Sequence, residues 1–323
     1  MYVTVAGSSQ YGKTLYALRE SDGSVAWSRP ISGLYNWSNA AYDTGRVFVV
    51  NFDGYLQALA ADTGALVWAT QLPYQYAFSS PPTARDGVVY VSGAGSGGTV
   101  YAVDEASGNV LATQAVANGD HSSPALSADA VFVSYACNQA WGFARPSLAF
   151  LWHYSTFCSG GGGKTTVYAD GRVYTRDYYG NLVLDAATGS LLRTYAPDGT
   201  AMPAPAVDAT TIYSLSQGVL SAQSVSDGSV GWTFAGDGQL DTAPVVLATA
   251  AGRFVVEGSA SGRLYALDAS DGSAVWKAMV GSPILGPDEQ NVSQPLTGIA
   301  AGEGLLVVPA GSSLVAYVGH HHR

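Results

Sequence analysis

The chain has 323 residues, of which 47% are hydrophobic and only 12% charged, and its formal charge is −10. Globular proteins average about 25% charged residues, so this composition excludes a disordered chain. The acidic balance leaves no basic stripe to neutralise phosphates and excludes a nucleic-acid partner.

The N-terminus, MYVTVAGSSQ, lacks the basic and apolar regions of a signal peptide. It reads as a strand, and no apolar run in the chain approaches the roughly 18 residues of a membrane-spanning helix. Next comes LYALRESDGSVAW, Leu15 to Trp27, and then LQALAADTGALVW, Leu56 to Trp68. YALDASDGSAVW repeats the pattern at Tyr265 to Trp276. Aligned on the last residue, the unit falls at Trp27, Trp68, Ala112, Trp152, Arg193, Trp232 and Trp276, with gaps of 41, 44, 40, 41, 39 and 44. A strand-rich period near 40 predicts propeller blades of four strands, A to D.

The third unit shows the reading. SSPPTA (79–84) is strand A, VVYVSG (88–93) is B, TVYAVD (99–104) is C and NVLATQ (109–114) is D. The C–D turn has the form D-x-x-[TSD]-G, as at Asp185 to Gly189 and Asp268 to Gly272. Its Gly supplies a positive φ and its Asp accepts backbone N–H groups. The Trp on strand D is expected to bury its ring against the neighbouring blade and give its N–H to a carbonyl.

B and C strands each occur eight times, A and D seven times. The chain starts on a B strand and stops on a C strand, without the first A and the last D. This predicts an all-β, eight-bladed β-propeller of four-stranded antiparallel blades. Residues 1–319 form one domain, and 320–323 are a tail or tag remnant. The mid-blade start suggests a piece cut from something longer, or an incomplete seam.

YALDASDGSAVW, LVLDAATGSLL and VYAVDEASGNVL resemble the repeats of the PQQ-like family, of BamB and quinoprotein type, over nearly the whole chain. The family includes quinone-dependent dehydrogenases, outer-membrane assembly scaffolds, kinase sensor domains and cell-surface propellers. The dehydrogenases would imply a quinone between a Trp and an adjacent Cys pair, with Ca²⁺ held by Glu, Asn and Asp. The only cysteines here are Cys137 and Cys158, which are not adjacent. GDGQLD, ending at Asp241, reads as a solvated turn rather than a calcium loop. No cofactor is therefore expected, with PQQ and calcium as the alternative. Cys137 follows strand B of the fourth unit and Cys158 follows its strand D, both in polar loops. A disulfide is expected, and with it an oxidising compartment.

In a propeller the entrances to the A strands form the axial face, and here the blades diverge in chemistry. Trp37, Asn39, Tyr76, His121, Ser122, Lys164, Asp241, Gln290 and Asn291 are the candidate binding residues. They mix hydrogen-bonding groups with rings, which suits a polar ligand. No catalytic residue is assigned, and Arg176 with Asp177 reads as a surface ion pair. The expectation is a non-catalytic binding or scaffold propeller, monomeric, recognising a protein or glycan by this face. It would be extracellular, periplasmic or on the cell surface of a bacterium. The alternatives are an enzyme with its site in the channel, either quinone-dependent or a lyase or hydrolase, and a detached sensor domain.

Overall fold

The computed structural model describes residues 1–5, 14–31, 39–95, 97–117, 122–135, 137, 139–156, 164–177, 180–196, 203–289 and 296–319. The chain is all β, with eight antiparallel sheets as blades in a propeller arrangement and no helix among the described residues. Six sheets have four strands and two have three. The first blade is Tyr2–Val5, Thr14–Leu18 and Val25–Pro30, strands B, C and D. The eighth is Ala300–Gly302, Leu305–Ala310 and Ser313–Val318, strands A, B and C. The strand inventory expected from the sequence is therefore the one observed.

Strand A is the exception in length. In the third blade it is only Thr83–Arg85, not the six residues expected. Pro81 and Pro82 precede it, and proline has no N–H to give to a ladder. Strands B and C carry the core. Val89, Tyr90, Val91 and Val100 to Val103 are all fully buried, as are Val47 and Phe48 in the second blade. Each fully buried side chain of this size contributes about 1.5–3 kcal/mol.

The chain divides into two compact units. The first holds the blades up to Asp177, part of the fifth sheet and the segment Glu289–Leu296. The second holds Arg193–Asp288 and Thr297–Arg323 with the short piece Tyr178–Asn181.

A single rule explains why the repeat conserves its Trp, its Gly and its small strand-C residue together. The strand-D Trp lies across its own sheet from a small residue on strand C: Trp27 opposite Ala17, Trp68 opposite Ala58, Trp152 opposite Gly142, Trp232 opposite Ala222. Its ring then lies on the C–D turn glycine of the next blade. A Cβ on Gly64 would stand 2.6 Å from Trp27, and one on Gly189 2.5 Å from Trp152. The indole N–H of Trp27, Trp68, Trp152 and Trp232 donates to the carbonyls of Ala61, Glu105, Ala186 and Ala269 at 2.8–3.0 Å.

The two blades without the ring compensate differently. Arg193 sends its guanidinium to the Ser224 and Val225 carbonyls, at 2.6 and 3.1 Å, in place of the indole N–H. Ala112 leaves a gap, and Leu148 in the next blade takes the turn position that is Gly elsewhere. Its buried side chain fills the space that the missing ring would occupy. Trp276 departs from the expected anchor role. It is 38% exposed, and among the described residues its one aromatic neighbour is Tyr317, edge-on at 5.0 Å.

Candidate functional site

Of the expected site residues, Trp37, His121, Gln290 and Asn291 lie outside the described residues, as does Cys158. Asn39, Tyr76, Ser122 and Lys164 belong to the first unit, and Asp241 to the second.

In the first unit these residues are held by a network that no local pattern announces. Arg176, at the end of strand B of the fifth blade, is buried, which corrects the surface-pair reading. It makes a two-pronged ion pair with Glu289, at 2.7 and 3.0 Å, and gives a further hydrogen bond to the Thr165 carbonyl at 3.0 Å. The Thr165 N–H donates to the same Glu289 carboxylate at 2.9 Å. Burial pushes the Glu289 carboxyl up; the Arg176 charge, these hydrogen bonds and the nearby Lys164 outweigh it and hold the carboxyl below its ordinary value. The reason for the correction is distance in sequence: the partner stands 113 residues away.

Beside this pair runs a chain of hydroxyls. Ser134 Oγ donates to the Lys164 carbonyl at 3.1 Å and meets Thr166 Oγ1 at 2.8 Å. Ser122, fully buried, reaches Thr166 Oγ1 at 3.5 Å and accepts the Ser134 N–H at 3.4 Å. Asn39 donates to the Leu296 carbonyl at 2.9 Å. So Asn39 and the Lys164–Thr166 strand entrance are both fastened to the segment that opens with Glu289 and closes with Leu296.

Tyr76 is different. Its ring is 66% exposed, yet its position is fixed. Its N–H donates to the Ala94 carbonyl at 3.2 Å and its hydroxyl to the Gly95 carbonyl at 3.1 Å. A Cβ on Gly95 would stand 2.6 Å from the ring, and Gly95 also needs φ +139°, so only glycine lets the ring lie flat there. Tyr74, two residues earlier, is 78% exposed and was missed by the sequence reading. The loop between them is tied down by Gln75, buried, whose amide donates to Thr99 Oγ1 at 2.9 Å. Tyr101 adds a hydrogen bond from its hydroxyl to the Pro73 carbonyl.

In the second unit Asp241 is exposed and accepts the Gly286 N–H at 2.9 Å. Close by in sequence, Thr242 donates to the Glu257 carboxyl at 2.8 Å and accepts the Gly258 N–H at 2.8 Å. Glu257 is fully buried, and among the described residues its second oxygen has no hydrogen-bond partner. Burial pushes its carboxyl well above the ordinary range, against the Thr242 hydrogen bonds. By strand register, it stands where other blades place Val91, Val133 or Val308. A cleft of about 590 Å³ also opens beside Trp232, away from the strand-A entrances. Of its two carboxylates, Asp208 is bonded to Tyr213 and Arg253, and Asp268 accepts the Ser270 N–H and hydroxyl.

The sequence matches the family described as outer membrane protein assembly factor BamB over residues 2–75, 53–157 and 97–316. The chain belongs to this family. No curated protein matches it. Among solved structures, BamB from Moraxella catarrhalis superposes with a TM-score of 0.72 at 19% identity, covering 99% of this chain and 95% of that one. The computationally designed Ika8 protein gives 0.75 at 14%, covering 98% and 93%. Quinohemoprotein alcohol dehydrogenase ADHIIG from Pseudomonas putida HK5 gives 0.70 at 15%, covering 97% of this chain and 69% of that one. At these identities the likeness shows the PQQ-like fold alone.

The neighbouring cysteine pair that a dehydrogenase-type quinone site calls for is not present in this sequence: the two cysteines stand at 137 and 158. Among the described residues no three His, Cys, Asp or Glu are grouped to hold a metal.

Proposed function

We propose that the protein is a non-catalytic binding scaffold, extracellular, periplasmic or on the cell surface of a bacterium, which recognises a protein or glycan. The observation that carries this is the Tyr74–Tyr76 loop, which offers two exposed rings on a backbone held by hydrogen bonds. Rigid aromatic anchors bind with little loss of freedom, and they recur at recognition hot spots. The polar groups of the strand-A entrances favour scaffolding over catalysis for the same reason. Asn39, Arg176 and Glu289 spend their bonds on one another or on backbone. A Cys137–Cys158 bridge belongs to this proposal; Cys137 is buried, and no described cysteine is free.

Glycan-array binding and cross-linking in bacterial envelope extract test the reading. A ligand that the parent captures and Tyr74→Ala/Tyr76→Ala loses supports it. Dye-linked alcohol oxidation on adding PQQ and Ca²⁺ would overturn it in favour of a dehydrogenase.

A further inference from the structure

Strands C and D of the seventh blade, Arg263–Asp268 and Ala274–Met279, pair Arg263 with Met279 and Tyr265 with Lys277. Cross-strand partners and residues two apart share a face of a sheet, so these four side chains lie together. Arg263 and Lys277 are diagonal neighbours, about 7–8 Å apart along the backbone. The same positions are Tyr55 with Gln71 and Gln57 with Ala69 in the second blade, and Thr99 with Ala115 and Tyr101 with Thr113 in the third. The seventh blade thus carries two cations where those blades carry none, in a chain of formal charge −10. With Phe234 and Gly236, at and just after the end of the sixth blade's strand D, they line a groove of about 440 Å³. All of these residues belong to the second unit.

Neither cation is neutralised at close range. Arg263 Nη1 stands 4.0 Å from Asp237, whose carboxylate already accepts the Ser259 and Ser261 hydroxyls and the Gln239 N–H. Among the described residues Lys277 has no carboxylate partner; its ammonium stands 6.0 Å from the centre of the Tyr265 ring. That ring is buried, with Phe234 edge-on at 5.1 Å, while Met279 is 59% exposed.

We propose that this groove binds an acidic segment of a partner protein, in which a carboxylate side chain stands beside a large apolar one. The Arg263 fork takes the carboxylate in two hydrogen bonds, and the Lys277 ammonium adds a point charge. The apolar neighbour lies against Met279 and Phe234, where the flexible thioether adapts to its shape. Charge complementarity sets the sign of the partner: an acidic protein repels acidic segments in general and admits one here. A chain segment suits the groove better than an enclosed metabolite. Small-molecule pockets bury most of their ligand, whereas Arg263 and Met279 are both more than half exposed. The groove shares no residue with the Tyr74–Tyr76 loop, so the two surfaces stand or fall independently.

Met279 is one of three methionines, so its isotope-labelled methyl group is an NMR signal resolved to this site. The probe is the blocked peptide acetyl-Ser-Asp-Phe-Glu-Leu-Ser-amide. Titrated into the full chain at low salt, it should shift the Met279 methyl signal with a submillimolar Kd. Arg263→Gln/Lys277→Gln, at exposed positions, should keep the parent Tm and weaken the peptide about tenfold or more. Salt at about 0.5 M should weaken it several-fold. Tyr74→Ala/Tyr76→Ala should bind the peptide as the parent does. Three results would each overturn the proposal. The first is no saturable shift up to roughly 10 mM peptide. The second is equal binding by the double variant, or of the counterpart peptide with Asn and Gln for Asp and Glu. The third is tighter binding of inorganic phosphate or phenylacetate than of the peptide, which would make the groove a small-anion site.

Discussion

Glu289 and Glu257 are both buried, and they titrate in opposite directions. Glu289 has the Arg176 guanidinium, a backbone N–H and a nearby lysine, and it is held as a carboxylate. Glu257 has one threonine hydroxyl, and burial pushes its carboxyl well above the ordinary range. Burial is common to both, so it does not decide the charge; the partner does. The first arrangement ties Glu289 to the strand-A entrance at Thr165 and to the end of strand B at Arg176. The second places a buried acid where the third, fourth and eighth blades have a valine.

Removing the partner should erase that difference. Arg176→Met leaves the Glu289 carboxylate buried without its cation, and loss of one member of such a pair costs about 3–5 kcal/mol. Adding Glu289→Met should restore most of that, because an apolar pair of similar volume packs without desolvating charge. Denaturant titration of the single and double variants checks both. A single variant as stable as the parent would mean that the pair does not hold the segment.

The same contrast between a group with a partner and one without extends to the tryptophans. Trp68 has a glycine on its ring and a carbonyl at 2.8 Å, so Trp68→Ala should cost about 3–5 kcal/mol. Trp276 lacks both, and Trp276→Ala should cost under about 1 kcal/mol. Thermal melts that give equal losses would show that the exposed ring is an anchor after all.

Glu257→Gln tests the raised carboxyl by pH. The folded carboxyl binds its proton more tightly than the ordinary 4.5. Below that value the group is protonated in both states. As pH rises, the unfolded state ionises first, so the folded state loses relative stability until its own carboxyl ionises. The glutamine variant lacks that loss, and its Tm relative to the parent should climb as pH rises above the ordinary 4.5. A constant difference would mean that Glu257 is charged in the fold.

Most of the architecture was legible because it repeats. The period, the turn Asp and Gly, and the absent first A and last D strands all follow from local pattern. The Trp–Gly partnership was half legible: both residues were visible, but their contact joins adjacent blades. Leu148 in a glycine position was a readable clue, since it coincides with Ala112 in the preceding anchor slot. Glu257 was readable too, as an acid in a valine column. The Arg176–Glu289 pair was not, because nothing near either residue points to the other. Of the nine expected site residues, Asn39, Tyr76, Ser122, Lys164 and Asp241 can be located, and only Tyr76 presents a largely exposed ring.

Glu105 is the intermediate case, and its expected effect is the smallest. It occupies the turn position that is Ala61, Ala186 or Ala269 in other blades, and it is buried. Thr44 donates to one carboxyl oxygen at 2.6 Å, and the other has no hydrogen-bond partner among the described residues. Burial pushes the carboxyl up to about 6; the acidic Asp43 beside it adds to the rise, while the Thr44 hydroxyl and the Arg46 charge oppose it. The sign is that of Glu257 with a narrower window. Stability from this group is complete below about 4.5 and is lost as pH rises through about 6. Glu105→Gln keeps the Thr44 hydrogen bond and removes the titration, so its stability should vary less over that interval. Asp43→Asn should lower the carboxyl toward its ordinary value, because it removes the neighbouring acid. Denaturant titrations at several pH values across the interval decide it. If Glu105→Gln follows the parent throughout, the acid is not titrating there, and a half-partnered carboxyl behaves like the fully paired Glu289.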